Sequence, residues 1–278
     1  MSELPLVSVV MPFYAQDDYV LDAVRSVERQ TYPCVELVVV DDCSPGESAH
    51  DLIHWRCQDN VTIVRHQSNR GCAAARNTAI ASARGELILP LDADDLLKAE
   101  YLERTVSLLI DDPDLAGVYT DVQVFGEREF VWEFDCSLPR HLTYGGPNTF
   151  LFWKKVFEAT GGYKERLRFG EDFDFWISAL EAGFKFARLA EPLYQYRKHA
   201  GGKTKRKDWP AVMQNLVAEH RATCEAYLEE LLADQAEQSR HGLTELRDLC
   251  AKLDELKRLN SDYEAGGREG VGPAEARP

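Results

Sequence analysis

The sequence predicts an α/β fold in which helices flank a mostly parallel β-sheet. Short apolar, β-branched runs alternate with helical patterns between residues 7 and 91, and the connections between them are short. Polar loops at 12–16, 41–46 and 92–95 follow three of the predicted strands. Because ligands bind beyond the carboxyl ends of the strands in such sheets, these loops are expected to converge on one site.

The first half of the chain carries the clearest alternation. Asp17 or Asp18 is expected to cap the first helix, and Gly85 to end the second. The predicted elements are a strand over Val7–Met11, a helix over Tyr19–Gln30, strands over Val35–Val40 and Val61–Arg65, a helix over Cys72–Ala83 and a strand over Glu86–Leu91.

The middle of the chain is less regular and mixes hairpin, loop and helix signals. The predicted elements are a hairpin of Gly117–Phe125 with Glu129–Phe134, a loop over Gly145–Asn148, helices over Lys154–Ala159 and Phe173–Glu181, and two strands over Phe184–Arg188 and Leu193–Tyr196.

The composition changes after Pro210, where Ala, Leu and Glu dominate and leucines between 246 and 256 follow a short heptad spacing. This pattern favours a helical hairpin that packs on the domain or on a second subunit. We therefore predict an α/β domain over 1–209, a helical extension over 210–262 and a disordered tail over 263–278.

Bulk composition is that of an ordinary globular protein, with 45% hydrophobic and 28% charged residues. The formal net charge of −15 argues against nucleic acid as a partner. The N-terminus lacks the pattern of a signal peptide, and no apolar run reaches the roughly 18 residues of a membrane span. Seven scattered cysteines without a CxxC pair favour a reducing cytoplasm.

An acidic cluster follows the predicted fourth strand. Three carboxylates fall within residues 92–95, directly after the apolar run Leu87–Leu91. Close carboxylates repel each other, and a hard cation such as Mg²⁺ or Mn²⁺ removes that repulsion while sharing phosphate oxygens. The cluster therefore favours a metal-bridged phosphate site. The alternative is that Asp94 or Asp95 caps a helix that begins near Leu96.

Two further segments have both a functional and a structural interpretation. Asp41 and Asp42 follow the second strand and can bind a base or a ribose, or they form an Asp–Ser turn before a helix at about Glu47. The segment Asn69–Asn77 opens the alanine-rich helix with a glycine that exposes N–H groups to an anion. Its Arg76 either binds phosphate or carboxylate, or lies on the wet face of that helix.

Acidic and basic motifs also occur later in the chain. Glu171 and Asp172 begin a helix among aromatic residues, a setting that raises a carboxylate pKa as a general base requires. The alternative is that the two acids only complement the dipole at the helix N-terminus. Six Lys or Arg residues lie between 197 and 207, either as a flap over a diphosphate or as a solvated linker. Within this segment, His199 is either a metal ligand or a surface side chain.

Together these motifs, in this order, resemble family 2 glycosyltransferases of the GT-A fold, a Rossmann-like fold. The resemblance covers roughly residues 6–200, and the helical extension lies outside it. The matching pieces are VSVVMPFYAQDDYVLDAVRSVERQTYP, VELVVVDDCSPG, NRGCAAARN, GELILPLDADD, GGYKERLRFGEDFDFWISALEAG and YRKH.

The resemblance implies a role for each matched position. Asp42 would hydrogen-bond the base, Arg76 would lie near the base or the diphosphate, and Asp92 would contact the ribose or the metal shell. Nucleotide-binding positions would be Pro12, Tyr14, Asp41, Asp42, Arg76, Asp92 and Ala93, metal ligands Asp94 and His199, and the catalytic base Asp172, with Glu171 as the second candidate.

The resemblance also implies a reaction: inverting, metal-dependent transfer from a nucleoside diphosphate sugar, with UDP favoured, to a glycan, lipid-linked or small-molecule hydroxyl. The chain lacks the QxxRW motif and the membrane helices of processive synthases, so transfer of one sugar per event is expected. The expected location is the cytoplasm, with the basic segment 197–207 offering contact to the inner face of the membrane. The C-terminal helices offer a homodimer contact.

Two alternatives from other classes remain at this stage. A sugar-phosphate nucleotidyltransferase needs a glycine-rich first loop with Arg and Lys, and the loop 12–16 has none of these residues. A degenerate scaffold that oligomerises through the C-terminal helices is expected to lose Asp94 or the Glu171–Asp172 pair, and this chain keeps all three.

Overall fold

The computed structural model describes residues 4–53, 60–133, 149–167, 169–201, 218–223 and 225–226. In chain order its first half contains β1 (Val7–Phe13), α1 (Val20–Glu28), β2 (Val35–Asp41), α2 (Ala49–Leu52), β3 (Val61–Arg65), α3 (Cys72–Ser82), β4 (Leu87–Pro90) and β5 (Leu96–Leu97). Its second half contains α4 (Tyr101–Asp111), β6 (Leu115–Gly126), β7 (Phe130–Trp132), β8 (Leu151–Trp153), α5 (Lys154–Thr160), α6 (Glu171–Glu181) and β9 (Lys185–Lys198).

The strands form one nine-stranded sheet in the order β3-β2-β1-β4-β8-β6-β9-β5, with β7 paired to β6. The first four strands in this order are parallel to one another, as are β6 and β9. Strands β8, β7 and β5 run antiparallel to their neighbours. The predicted α/β fold is confirmed, and its sheet is parallel in the first half and mixed in the second.

The core lies where the apolar strands meet the helices. Every residue of β1 is buried, and β2 is buried from its second residue, as expected of strands covered on both faces. Helix α3 contacts both strands through small side chains, among them Ala74, Ala75 and Ala79, which are fully buried. Alanine lets a helix approach a sheet closely, so this packing fixes the start of α3 beside the ends of β1 and β2.

Several of the predicted helix and strand ends are wrong. Neither Asp17 nor Asp18 caps α1: its N-cap is Tyr19, which makes no side-chain capping bond within the described chain, and the Gln16 carbonyl accepts from the first turn instead. Leu96–Leu97 forms β5 rather than the start of a helix. The two strands predicted within 184–196 are one strand, β9, whose pairing with β6 shifts register around Pro192 because proline donates no ladder bond.

Gly85 has a packing role rather than the predicted helix-ending role, since α3 ends at Ser82. A Cβ at Gly85 would lie 2.5 Å from Ser8 Oγ and 2.6 Å from the Leu6 carbonyl oxygen. Its N–H donates to Ser8 Oγ and to buried Glu36. Burial raises the pKa of Glu36, but hydrogen bonds from Ser8 and Arg84 outweigh that effect and lower it. This contact ties β1, β2 and β4 together at the end away from the candidate site.

The chain divides into two compact units, Met1–Asp208 and Trp209–Pro278. The second unit has helical backbone at 218–219, 221–223 and 225–226. The rest of the predicted extension over 210–262, the tail over 263–278 and the predicted loop over 145–148 lie outside the described residues. Within the described ranges, the helices are too short or too polar to cross a membrane.

Candidate active site

The loops that follow β1 and β2 are joined by hydrogen bonds. The Asp42 N–H donates to the Phe13 carbonyl (2.9 Å), and the Ala15 N–H donates to Ser44 Oγ (3.1 Å). At the end of β4, the Leu91 N–H donates to the Val10 carbonyl (3.0 Å). The predicted convergence of the three loops is therefore confirmed, and it follows from the parallel order of β2, β1 and β4.

Two residues in these loops have left-handed backbone conformations. Ala15 has φ 52° and Cys43 has φ 62°, in a region that residues with a Cβ rarely adopt. Such strain persists only where the surrounding structure enforces it, and it concentrates at functional sites. Here the hydrogen bond from Ala15 to Ser44 holds the two loops together next to Asp42.

Asp42 lies at the centre of this loop pair and is 4% exposed. Its Oδ1 accepts from the Arg70 N–H (2.8 Å) and lies 2.7 Å from Nδ1 of His66. Its Oδ2 accepts from the Gly71 N–H at 2.7 Å. A carboxylate oxygen can accept two hydrogen bonds, so one acceptor position remains on Oδ2 among the described contacts. Asp42 can thus hold the loop at Arg70 and still bind a ligand N–H.

The other predicted nucleoside-side residues differ in accessibility. Asp41 is 1% exposed and accepts from the Ser44 and Ala49 N–H groups, so its carboxylate shapes its own loop. Pro12 is buried inside β1, which extends two residues beyond the predicted strand. Tyr14 is 38% exposed at the rim. Of these three, only Tyr14 has an exposed side chain, and its role in nucleoside binding stays a prediction.

The acidic cluster has the geometry of a cation site. Oxygens of Asp92, Asp94 and Asp95 lie within 4.8 Å of one another. Asp92 accepts from Arg76 (2.8 Å), and Asp95 is buried in contact with Tyr194 and Arg197. Asp94 is 18% exposed, and its Oδ2 lies 3.0 Å from His199 Nε2.

The Asp92 side chain is more exposed, at 25%, but it is bound to Arg76, so Asp94 is the partly exposed carboxylate of the cluster without an arginine partner among the described residues. Ala93, which is fully buried, lies between them. A site with few protein ligands fits Mg²⁺ or Mn²⁺ that also takes substrate phosphate oxygens. The structure brings Asp94 and His199 together, while their role as metal ligands stays a prediction.

Arg76 joins the acidic cluster to the start of α6. Its guanidinium donates to Asp92 Oδ1 (2.8 Å) and to Glu171 Oε1 (3.0 Å), and it lies 5.4 Å from the centre of the Tyr163 ring. Arg76 is 2% exposed, so the alternative of a solvent-facing Arg76 is wrong. The structure gives this arginine two carboxylate partners, which the sequence did not reveal.

Glu171 and Asp172 have different environments although they are neighbours. Glu171 is paired with Arg76, whereas Asp172 makes no ion pair with a described residue. Burial and the negative charge of Glu171 raise the pKa of Asp172 to about 7, although Arg76 acts in the opposite direction. A carboxylate with this pKa can accept a proton near neutral pH.

A cavity of about 310 Å³ opens beside this pair. Its walls are the loop Asn69–Ala73 on one side and the segment 165–167 with Glu171 on the other. Arg70 and Glu165 form an ion pair of 3.0 Å across it. Of the two predicted catalytic residues, Glu171 lines this cavity and Asp172 does not.

Several residues of the site were not found from the sequence. His66 contacts Asp42 and Thr78, and Tyr163 packs against Arg76. Asp95 was visible only as a third acid in the cluster. Its position next to Asp94 indicated that Asp95 belongs to the cluster. Nothing in the local sequence indicated its contacts with Tyr194 and Arg197.

Comparison with known proteins agrees with this geometry. Residues 8–165 match the family described as Glycosyl transferase family 2, which is more than half of the chain. The chain belongs to glycosyl transferase family 2. TuaG of Bacillus subtilis, a protein named as a glycosyltransferase of teichuronic acid biosynthesis, is 31% identical over 69% of this chain and 79% of its own length. The predicted family and enzyme class are confirmed.

Solved structures support the GT-A fold of this glycosyltransferase. TarS of S. aureus in complex with UDP aligns with a TM-score of 0.65 and 22% identity, over 85% of this chain and 74% of the TarS chain. The mannosyltransferase PcManGT of Pyrobaculum calidifontis, in complex with GDP-Man and Mn2+, aligns with a TM-score of 0.62 and 19% identity. That alignment covers 96% of this chain and 80% of the other.

Proposed function

We propose that this glycosyltransferase moves one sugar from a UDP-sugar to a hydroxyl group of a glycan acceptor, with inversion and with a divalent cation. The main support is Arg76, which links Asp92 of the acidic cluster to Glu171 beside Asp172. A group that binds diphosphate and a group that accepts a proton are thereby held in one rigid arrangement. The name of TuaG supports a glycan acceptor.

Donor recognition is assigned to Asp42 and Tyr14. The remaining acceptor position on Asp42 Oδ2 suits the ring N–H of uracil, and Tyr14 offers an exposed ring at the rim. Asp92, the member of the acidic cluster that is bound to Arg76, is assigned to contact the ribose. The UDP complex of TarS supports the choice of uracil, while the GDP-Man complex of PcManGT makes guanine, which also has a ring N–H, the second candidate.

Asp94 and His199 are the residues that would hold a divalent cation against the donor diphosphate. The cation supplies Lewis-acid stabilisation of the charge on the departing nucleoside diphosphate. Before the donor binds, the His199 ring lies beside Asp94 and keeps that carboxylate in place. Arg76 neutralises Asp92 and Glu171, so the negative diphosphate meets less repulsion from the site.

Asp172 is assigned as the general base. It takes the proton of the acceptor hydroxyl while the acceptor oxygen bonds to the anomeric carbon and the bond to the diphosphate oxygen breaks. The attack comes from the face opposite the diphosphate, so one displacement inverts the configuration. Glu171 forms an ion pair with Arg76, and the negative charge of Glu171 helps to raise the pKa of Asp172 into the range a base needs.

The test is UDP release from a panel of UDP-sugars with Mn²⁺, followed by kinetics of Asp42→Asn. The variant replaces one carboxylate oxygen by an NH2 group, so the single remaining oxygen cannot serve both the loop N–H groups and the base N–H. A lost hydrogen bond to a charged group costs about 1.5–3 kcal/mol, so the donor KM should rise roughly 10–100-fold. The value of kcat should change much less, because Asp42 is assigned to binding the base and takes no part in the proton transfer.

Asp41→Asn is the matched control, because Asp41 is the neighbouring carboxylate and its described partners are the Ser44 and Ala49 N–H groups and Arg65, all within the protein. Asp41→Asn should lower the melting temperature and leave the donor KM close to that of the wild type. An unchanged donor KM in Asp42→Asn would remove Asp42 from the base-binding role. Release of no nucleotide from any nucleotide sugar would contradict the proposed function.

A further inference from the structure

We infer that Asp95 is a positioning residue that fastens the C-terminal end of β9 to the acidic cluster and so holds His199 against Asp94. The inference deepens the proposed metal-dependent function and rests on it. No contact of Asp95 with substrate is involved. Its effect passes through Arg197 and the two residues that follow.

The Asp95 carboxylate takes the place of a missing strand partner. The pairing of β5 with β9 ends at Leu96 and Gln195. Beyond this point, the Arg197 N–H donates to Asp95 Oδ1 at 2.7 Å. Within the paired stretch, the Tyr194 hydroxyl donates to Asp95 Oδ2. Asp95 is 1% exposed, so these contacts are shielded from water. One buried carboxylate thus holds two points of β9.

The Arg197 side chain also joins β9 to the acidic cluster, through a hydrogen bond to the main chain of Asp94. Its Nε donates to the Asp94 carbonyl oxygen at 2.8 Å. Its guanidinium lies 4.9 Å from the ring centre of Tyr19 and 4.7 Å from that of Phe125. The main chain of Arg197 is therefore bound to Asp95 while its side chain is bound to Asp94. A shift of this residue would move both chain segments.

His199 depends on this connection for its place. Its Nε2 lies 3.0 Å from Asp94 Oδ2, and its ring centre lies 4.6 Å from that of Tyr19. The pairing of β9 with β6 ends at Lys198, so His199 is the first residue beyond the sheet. Fixing Arg197 two residues earlier leaves little freedom for the imidazole. Groups that orient metal ligands in this way commonly affect metal affinity strongly.

Asp95→Ala and Asp95→Asn in the full chain test the inference. Hydrogen exchange without metal reports on the hydrogen bond between the Arg197 N–H and Asp95: the Arg197 amide should exchange roughly tenfold faster or more in Asp95→Ala.

Calorimetry of UDP binding with and without Mn²⁺ measures the effect on the proposed metal site. Asp95→Ala should weaken Mn²⁺-supported binding roughly 10–100-fold and leave metal-free UDP binding unchanged. Asp95→Asn keeps an oxygen that accepts from Arg197 and should restore most of both properties.

Unchanged exchange at Arg197 in Asp95→Ala, or equal loss of metal-free and Mn²⁺-supported binding, would overturn the inference. The same holds if Asp95→Asn behaves like Asp95→Ala. If the wild-type chain shows no effect of Mn²⁺ on UDP binding, the proposed metal-dependent function fails, and hydrogen exchange still decides whether Asp95 fastens β9.

Discussion

Asp172→Asn should lower kcat for sugar transfer by about 10²–10⁴-fold while the affinity for UDP stays close to that of the wild type. The amide has nearly the same shape as the carboxylate but cannot accept the acceptor proton. For the wild type, activity should fall as the pH drops below about 7, because Asp172 is then protonated. A pH–rate profile and a UDP titration of both proteins measure these effects.

Stability provides the control for this substitution. The pKa of Asp172 is raised from 3.8 to about 7 in the fold, so the folded state holds its proton more tightly than the unfolded state. The resulting stabilisation is complete below pH 4 and is lost as the pH rises to about 7. Asp172→Asn, which stays neutral, should therefore be more stable than the wild type at pH 8. Full transfer activity in this variant, together with loss in Glu171→Gln, would assign the base to Glu171.

Arg76→Gln should destabilise the protein by up to about 3–5 kcal/mol, because it leaves two partly buried carboxylates without their buried cationic partner. Asp92 and Glu171 both lose an ion pair, and repulsion on Asp172 increases. Because Arg76 lowers the pKa of Asp172, the acidic limb of the pH–rate profile should also move to higher pH in the variant. Urea unfolding and the pH profile measure the two effects.

Arg104→Gln is the matched control. Arg104 also pairs with a glutamate, Glu191, but both side chains are largely exposed. An exposed ion pair contributes about 0–1 kcal/mol, so this variant should unfold close to the wild type. If Arg76→Gln were as stable as Arg104→Gln, the buried bridge between the acidic cluster and α6 would have no structural importance.

The sequence predicted those parts of the fold that depend on local patterns. Buried valine runs located β1 and β2, and the acids after β4 marked the cluster at Asp94, because both signals lie in a few consecutive residues. The path of β9 was predicted less well. Two strands were predicted, over 184–188 and 193–196, but the ladder with β6 continues on both sides of Pro192 and keeps the strand whole.

Contacts between distant segments could not be predicted in the same way. Arg76 reaches Glu171 across 95 residues, and Asp95 reaches Arg197 across 102. The resemblance to a family placed these residues near one site but did not say which carboxylate each cation would choose. That choice depends on packing: burial of Arg76 requires two acceptors, and the end of β5 leaves the Arg197 N–H facing Asp95.

Calorimetric titration of UDP into the protein with and without Mn²⁺ tests the central claim most directly, with Asp94→Ala measured alongside. The predicted result is that Mn²⁺ tightens UDP binding roughly tenfold or more, equivalent to about 1.4 kcal/mol, and that Asp94→Ala loses this gain. Equal UDP affinity in the presence and absence of Mn²⁺, or a full Mn²⁺ effect in Asp94→Ala, would contradict the account.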